Sequence, residues 1–430
     1  MLTSNLLRLL LTRSAKPFTF EACSPDWQPD VTGLDRFGLY VHIPFCRTLC
    51  CFCPYCRELY TAEKAAAYLP ALLQEIDRTG QAVSRQLVST GKKTGGQRHP
   101  VTSLYFGGGT PALMLGDLPV IIGRLQQYFE ITDGIGIELH PQDITPQNLQ
   151  QLKSTGITMV SLGLQSFDHH TLARIGRSED HFAERLGWVR EAGFSVIDVD
   201  LIFAIPGQTP DSLRRDITLA FEWGATQVST YPFIDFTFAD NRYQPLDKKT
   251  KHQLLAELAS YCQELGLVRT SVWTFAQPGT DKYSSVTRDA FLGFGLSATS
   301  LLQRSFSINT FSLDGYLGRL GKGLSPTALK LTFSLRQRAA YFLFWSAYGL
   351  RIDHKRFNAC IGQPLDRLYE VEMALAVWLG LLRRSGADYL LTSRAIRIYH
   401  DLEQLYTTAY IDKTWSIARQ EAFPRRFTLS

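Results

Sequence analysis

Five of the eight cysteines in this chain crowd into one short stretch, which is the part of the sequence best suited to chemistry. A cluster this tight, in a large chain with few other cysteines, indicates metal binding in a reducing compartment rather than disulfide bonds. Cys46, Cys50 and Cys53 have the spacing C-x3-C-x2-C. A 4Fe–4S cube normally takes four thiolates, so three ligands leave one iron open for a reaction.

A structural zinc site formed by Cys46, Cys50, Cys53 and Cys56 is the alternative for this stretch. Such sites usually take their ligands from two separated C-x2-C pairs. Here all four ligands would come from one short loop, and the spacing therefore favours the cube. We treat Cys51 as a bystander, and Cys56 as a bystander or as a ligand of a further metal.

The cysteine loop follows the first of six β-rich segments that alternate with amphipathic helical segments. Six such units in a row predict a parallel sheet in an α/β fold. Because a complete barrel has eight units, we predict an open, three-quarter (β/α)6 barrel of the TIM type, with its chemistry at the C-terminal strand ends. The predicted strands are Gly38–Ile43, Val101–Phe106, Gly136–Leu139, Thr158–Leu164, Ser195–Ile205 and Gln227–Ile234, and the predicted helices are Thr61–Arg78, Leu118–Tyr128, Pro146–Ser154, Glu179–Glu191 and Pro210–Trp223.

The alternation ends near residue 305, and this predicts a division into three parts. We expect an N-terminal arm over residues 1–37, the partial barrel over residues 38–305, and a mostly helical, winged-helix-like C-terminal domain over residues 306–430. An organelle-targeting peptide is the alternative for the arm, because no acidic residue precedes Glu21. In the C-terminal domain the predicted helices are Phe333–Trp345, Pro364–Leu382 and Leu402–Thr408, and a hairpin is predicted within Asp388–Tyr399.

The charge and hydropathy of the chain indicate which classes of partner it can bind. The formal net charge is +5 and is spread along the chain, which does not suggest a nucleic-acid-binding protein and would suit an acidic small molecule. No apolar stretch approaches the roughly 20 residues that are needed to span a bilayer. We therefore expect a cytoplasmic protein that binds neither nucleic acid nor a membrane.

Polar residues and glycines occur at the ends of successive predicted strands. Glycines expose backbone amides to a ligand, a carboxylate can pair with an ammonium group, and an arginine can hold a carboxylate through two hydrogen bonds. Each residue taken singly is more simply explained as a satisfied loop or cap residue. Their recurrence at neighbouring strand ends predicts a shared pocket, formed by Gly107–Thr110, Glu138, Gln165, Arg177 and Asp200.

From Tyr40 to about Ser300 the chain resembles the porphyrin-handling radical S-adenosylmethionine (SAM) enzymes, the group that contains oxygen-independent coproporphyrinogen III oxidase. The resemblance implies that Cys46, Cys50 and Cys53 hold a 4Fe–4S cluster whose fourth iron binds SAM, and that an electron donor such as flavodoxin or ferredoxin reduces it. Leu292–Thr299 resembles a segment at a second SAM site, which places Thr299 there. The other implied SAM contacts are Tyr40, Phe52, Gly108, Gly109, Thr110, Glu138, Gln165, Arg177, Asp200 and Pro232.

Three subfamilies of this group are to be distinguished. The oxidases usually carry a fourth cysteine two residues after the third ligand, where this chain has Tyr55. The heme chaperones carry a His-Asn-x-x-Tyr-Trp signature, of which Ile308–Phe311 keeps only the asparagine. Phe45–Pro54, Tyr283–Asp289 and Asn309–Phe311 look like the third subfamily, the heme-utilisation methyltransferases.

The resemblance to the third subfamily implies oxygen-independent heme degradation. SAM would serve as radical source and methyl donor, the porphyrin would open to the linear tetrapyrrole anaerobilin, and iron would be released. The alternatives are propionate decarboxylation of coproporphyrinogen III and a heme-trafficking protein without turnover.

A heme or related porphyrin substrate needs apolar walls and basic partners for its carboxylates. Any single aromatic is more often a core residue, and any single arginine is more often solvated. His42 is expected to support the cluster loop. The candidates for the wall are Tyr231, Phe233, Phe236, Tyr243, Trp273 and Tyr283, and those for the propionates are Arg47, Arg242 and Arg288.

Overall fold

The computed structural model describes residues 8–14, 16–89, 98–234, 236, 244–281, 289–418 and 420–429. The chain forms two compact units. The barrel unit consists of Leu39–Leu73 and Pro100–Ser284, and the second unit consists of Met1–Gly38, Gln74–His99 and Ser285–Ser430. Within the described ranges, none of the helices is both long enough and apolar enough to cross a membrane.

Six parallel strands form most of the sheet of the barrel unit, and each pairs with the next strand along the chain. Two short antiparallel strands, Thr274–Ala276 and Val268–Arg269, extend the sheet beyond the sixth strand. The sheet stays open, because no pairing joins its first and last strands in the described part of the chain. The predicted open α/β barrel is therefore confirmed. Its strands are β1 (Gly38–Ile43), β2 (Leu104–Gly108), β3 (Ile135–Leu139), β4 (Met159–Gln165), β5 (Val196–Phe203) and β6 (Gln227–Pro232).

The helices between the strands begin and end where local chemistry requires it. Thr209 accepts a hydrogen bond from the Ser212 amide at 3.2 Å, which caps the helix that starts at Pro210. That helix is followed by Gly224, whose φ of 117° favours glycine. The helices so far are α1 (Ala62–Ser89), α2 (Leu118–Gln126), α3 (Pro146–Ser154), α4 (His169–Arg174), α5 (Phe182–Glu191), α6 (Pro210–Glu222) and α7 (Lys248–Glu264).

The second unit combines an antiparallel sheet with helices. Its strands, in order of pairing, are Phe291–Phe294, Thr299–Leu301, Ser305–Asn309, Thr327–Thr332, Phe18–Ala22 and Arg426–Leu429. Its helices are α8 (Leu313–Leu320), α9 (Leu335–Tyr348), α10 (His354–Ile361), α11 (Leu365–Trp378) and α12 (Ser393–Ala418).

The predicted hairpin within Asp388–Tyr399 is misplaced. The hairpin pairs Leu382–Ser385 with Asp388–Leu391, because Gly386, with a φ of 62°, makes the turn. Thr392 then accepts a hydrogen bond from the Ala395 amide and starts α12, so residues 393–399 are helical. Together with Arg351–Ile352, the hairpin forms a three-stranded sheet beside α9, α10 and α11, in the element order of a winged helix.

The compact units group the chain differently from the three predicted parts. Residues 74–99 and 285–305, which we expected within the barrel domain, belong to the second unit. Antiparallel pairing of Thr299–Leu301 with Ser305–Asn309 provides the physical reason for the later segment.

A buried carboxylate provides the reason for the earlier segment. Glu75, only 4% exposed, accepts hydrogen bonds from the Gly295 amide at 2.7 Å, from Asn309 Nδ2 at 2.7 Å and from the Tyr316 hydroxyl at 2.5 Å. Burial raises the pKa of Glu75 to about 7. Asn309, which belongs to the subfamily signature, is therefore occupied inside the unit.

Replacing Glu75→Gln should destabilise the second unit. Three donors converge on the carboxylate, so an amide NH2 would face a donor and leave buried groups unpaired. We expect the free energy of unfolding to fall by about 1–3 kcal/mol, measured as a lower midpoint of urea unfolding by circular dichroism. Tyr316→Phe removes one donor and should cost less; an unchanged midpoint in Glu75→Gln would contradict the assignment.

Candidate active site

The cysteine loop lies between β1 and α1, where two short strands fix its base. Phe45–Cys46 pairs with Glu58–Leu59, and the Arg57 guanidinium donates to the Cys53 carbonyl at 2.8 Å. Burial raises the pKa of the Cys46 thiol to about 11 and also raises that of Cys53. These thiols would not ionise alone near neutral pH, so a bound metal centre must provide the charge that deprotonates them.

His42 holds the far side of the same loop. Its Nε2 lies 2.9 Å from the Cys56 carbonyl, and its Nδ1 lies 3.0 Å from the Tyr40 hydroxyl. Because a carbonyl can only accept, Nε2 carries the proton and Nδ1 accepts from Tyr40. Burial lowers the pKa of His42 to about 4, so the ring is neutral, and it supports the loop as we expected.

Glycine is required at two positions near the end of β2, because neighbouring groups leave no room there for a side chain. A Cβ atom at Gly109 would lie 2.5 Å from the Phe45 carbonyl oxygen, and one at Gly108 would lie 2.7 Å from the His42 ring. Gly108 also has a φ of 114°. Thr110, the next residue, lies with its hydroxyl 3.9 Å from Cys46 Sγ, so this loop packs directly against the cluster loop.

β3 and β5 carry three acidic side chains, of which Asp198 is buried and Glu138 and Asp200 are half-buried. Glu138 accepts from the Gly108 amide at 3.1 Å and from the Tyr105 hydroxyl at 3.0 Å. Asp200 accepts from Ser161 at 2.6 Å, and Asp198 accepts from Ser229 at 2.9 Å.

The pKa values of these three carboxyl groups are all raised. Burial raises the pKa of Glu138 to about 7 and that of Asp198 to about 6. Burial and the neighbouring Asp198 also raise the pKa of Asp200. Among the described residues, no lysine or arginine pairs with any of the three. A buried anion without a counterion is costly, so this group is suited to a ligand that brings positive charge or hydroxyl donors.

Asp198 and Tyr105 were not predicted. The signal for Asp198 was present, because side chains two apart on a strand point to the same face. Asp198 therefore had to lie on the same face as Asp200.

Gln165 and Arg177 lie at the end of β4. Gln165 has a φ of 73°, a strained conformation for a residue with a side chain. Arg177 donates through Nε to Glu179 at 2.5 Å and through Nη2 to the Gly163 carbonyl at 3.1 Å. Burial would raise the pKa of Glu179, but the hydrogen bond from His140 and the charge of Arg177 lower it to about 2.

The structure also places four further residues that the sequence predicted for the site. Arg47 forms an ion pair with buried Asp143 at 2.6 Å, so it is not available to a propionate in the way we expected. Phe52 is half-buried in the cysteine loop, Pro232 is the buried last residue of β6, and Thr299 is a half-buried strand residue of the second unit.

The aromatic wall candidates divide into core, surface and undescribed positions. Phe233, Phe236 and Trp273 are each 4% exposed and belong to the core, whereas Tyr231 is 36% exposed and contacts Trp273 edge-to-face. Arg242, Tyr243, Tyr283 and Arg288 lie outside the described residues.

Residues 40–220 match the Radical SAM superfamily. Over this segment the chain is similar to radical SAM proteins. The cofactors that go with this match are a 4Fe–4S cluster and SAM. The relatives that follow are named oxygen-independent coproporphyrinogen III oxidase and heme chaperone.

A coproporphyrinogen III oxidase from Escherichia coli (strain K12) is 30% identical over 308 residues, which are 65% of this chain and 64% of that protein. The heme chaperone HemW from Bacillus subtilis is 26% identical over 376 residues, 82% of this chain and 94% of that protein. The solved structure of the Escherichia coli oxidase has a TM-score of 0.69 at 21% identity and covers 88% of this chain and 91% of its own. That likeness shows a shared fold.

The expected heme-opening methyl transfer is wrong. These relatives are named coproporphyrinogen III oxidases and heme chaperones, which were the stated alternatives. The short segments that suggested the methyltransferases include Asn309, which the structure shows bonded to Glu75. Asn309 therefore has a structural role in the second unit.

Replacing Gly109→Ala should impair loading of the cluster. The new methyl group would lie within 3 Å of the Pro44 and Phe45 backbone, so the cysteine loop must shift. We expect a lower iron content and weaker visible absorption after anaerobic reconstitution. Gly116→Ala is the matched control, since nothing lies within 4 Å of its added carbon. Full iron content in Gly109→Ala would show that the two loops do not constrain each other.

Proposed function

We propose that this protein is a radical SAM enzyme that oxidises coproporphyrinogen III without oxygen. In that reaction a propionate side chain becomes a vinyl group: it loses carbon dioxide, one hydrogen atom to the deoxyadenosyl group of SAM, and one electron to a one-electron acceptor such as an oxidised iron–sulfur protein. The observation that carries the proposal is a group of three acidic side chains, Glu138, Asp198 and Asp200, with which no lysine or arginine pairs among the described residues. Gly108–Thr110 connects Glu138 to the three-cysteine loop.

We assign the SAM contacts from the chemistry of each side chain. The Glu138 carboxylate pairs with the ammonium group of the methionine part, beside the exposed amides of the glycine loop. Asp200 and Gln165 accept from ribose hydroxyls. Arg177, which is bonded only through Nε and Nη2, directs its remaining nitrogen to the SAM carboxylate.

Cys46, Cys50 and Cys53 would hold the cluster, which when bound would supply the electron for reductive cleavage of SAM and so the means of removing the hydrogen atom. A flavodoxin or ferredoxin provides that electron in this proposal. The residues of the chain bind SAM and orient it. Neutral His42 and Tyr40 hold the loop next to the pocket, and the buried surroundings of Glu138 keep water from competing for the ammonium group.

Heme trafficking is the second candidate. The Bacillus subtilis relative is named a heme chaperone and is matched over 94% of its length. Two observations argue against this candidate. Asn309, the one residue of the chaperone signature that the chain keeps, is buried. The residue before it is Ile308, where the signature has a histidine.

An anaerobic product assay separates the two candidates. The reconstituted protein, with dithionite and SAM, should convert coproporphyrinogen III to a product lighter by carbon dioxide and hydrogen in mass spectra. Cys53→Ala should abolish both SAM cleavage and decarboxylation. Tight heme binding with no change in coproporphyrinogen III would instead support the carrier.

Replacing Glu138→Gln should weaken SAM binding by roughly 30-fold or more, because removal of one partner of a buried charge pair costs about 2 kcal/mol or more. In the natural protein, affinity should fall as the pH drops below about 7, where Glu138 takes up a proton. The variant should lose that pH dependence. Isothermal titration calorimetry checks both effects.

Exposed Glu130→Gln is the control for this measurement. Equal SAM affinity in Glu138→Gln and Glu130→Gln would remove the assignment of Glu138.

A further inference from the structure

Helix α11 of the second unit is apolar on two opposite faces. Its inner face packs into the core of that unit through Tyr369 and Met373, which are both buried. Val371–Leu382, which covers most of the helix and its end, contains one charged residue, Glu372. A surface helix normally has a polar face opposite its buried one, and a helix that is apolar all round is normally buried. The outer face of α11 therefore has the composition of an interface.

Four exposed apolar side chains form this outer face, and we call them the α11 stripe. Val371 is 69% exposed, Leu375 is 42% exposed and Trp378 is 80% exposed, while Leu379, directly after the helix, is 37% exposed. Residues three and four apart lie on the same side of a helix, so these side chains form one continuous surface. Tryptophan is enriched in protein interfaces and often contributes the largest share of the binding energy.

The composition of the α11 stripe argues against a nucleic-acid partner. In a helix-turn-helix, the second helix enters the major groove, and α11 follows α10 in that position. Such a helix reads base edges with arginine, lysine, asparagine or glutamine. The α11 stripe offers apolar side chains instead, and the exposed Glu370 beside it would repel phosphate. A protein surface fits it better.

Charged residues of opposite sign flank the two ends of the α11 stripe. Before it, the exposed Asp366 and Glu370 outnumber the single cation Arg367. After it, Arg383 and Arg384 are exposed in the first strand of the hairpin, which contains no acidic residue. The surface is therefore acidic at one end, apolar in the middle and basic at the other end.

We propose that the α11 stripe docks on the same stripe of a second copy of this chain, with the two α11 helices antiparallel about a two-fold axis. A two-fold interface uses one patch on both copies, so that patch must be complementary to itself. In the antiparallel arrangement, the acidic end of each stripe meets the basic end of the other. A parallel arrangement would bring like charges together.

The spacing of the side chains suits this arrangement. Val371 and Trp378 lie equally far in sequence from the midpoint between Ala374 and Leu375. With the two-fold axis at that midpoint, Val371 of each copy packs on Trp378 of the other. Ala374 is exposed and small, so the two helices can approach closely near the axis.

The size of the α11 stripe predicts a dimer of moderate affinity. Because an aromatic side chain buries about 150–250 Å², Trp378 at 80% exposure offers roughly 200 Å². The four side chains together offer on the order of 400 Å², about half of the roughly 800 Å² that each partner buries in a standard interface. The flanking charged residues add to this area, and we expect a dissociation constant in the micromolar range. This inference does not depend on the proposed function.

Sedimentation equilibrium of the full-length protein across micromolar concentrations tests the proposal. The mass should rise from the 48.5 kDa of one chain towards twice that value. Trp378→Asp should raise the dissociation constant at least about 100-fold, because a two-fold interface contains the substituted residue twice. Leu405→Asp is the matched control, since Leu405 is 62% exposed on α12 and outside the α11 stripe. Circular dichroism checks that both variants fold.

A charge exchange tests the antiparallel arrangement. Glu370→Arg and Arg383→Glu each reduce the charge complementarity between the two ends, so each should raise the dissociation constant about threefold to fivefold. The double variant that carries both changes restores opposite charges across the two-fold axis and should dimerise about as well as the natural protein. Dimerisation of the double variant that is no better than that of the single variants would overturn the antiparallel arrangement.

Three results would overturn the second copy as the occupant. The first is a single-chain mass at every concentration. The second is a dimer that Trp378→Asp and Leu405→Asp affect equally, which would place the interface elsewhere. The third is a monomer that sediments with phosphatidylserine vesicles and loses this binding in Trp378→Asp, which would assign the stripe to a lipid surface.

Discussion

The concentration of acidic groups at Glu138, Asp198 and Asp200 is the constraint on which the barrel site depends. The parallel register places Glu138 opposite Ser161 and Asp198 opposite the same serine, so neighbouring strands concentrate acidic groups on one face. Without a cation, the folded chain accommodates these groups only by raising their pKa values towards neutrality. A ligand with a positive charge relieves this cost, which makes the site selective for cations before any shape is considered.

The glycine loop transmits that selectivity to the metal centre. The Gly108 amide is bonded to Glu138, the Gly109 backbone is in contact with Phe45, and Thr110 reaches Cys46. A ligand held by the carboxylates is therefore held next to the three cysteines. His42 reinforces the arrangement from the opposite side, since its proton is fixed on Nε2 by the Cys56 carbonyl.

Much of the barrel could be read from the sequence, because β-rich runs alternate regularly with capped helices. The cysteine spacing and Glu138 were readable for the same reason: each follows a strand. The partner of Arg177 could not be predicted, because Glu179 comes close to Arg177 only through the turn that follows α4. The hairpin was misplaced because Thr392 acts as a helix cap. A threonine suits both a helix cap and a strand, so composition alone did not show that a helix starts here.

The subfamily was mistaken for a related physical reason. Short motifs such as Asn309–Phe311 were taken to describe the substrate, whereas Asn309 serves the Glu75 network inside the second unit.

The most direct test of the central claim is the number of protons exchanged when SAM binds near neutral pH. Titration calorimetry in buffers with different ionisation enthalpies measures that number. Because Glu138 has a pKa of about 7 and its carboxylate form is the one that pairs with an ammonium group, SAM binding should release protons to the buffer. Binding with no proton exchange would contradict the account, since it would mean that SAM does not pair with the carboxylates of the barrel site.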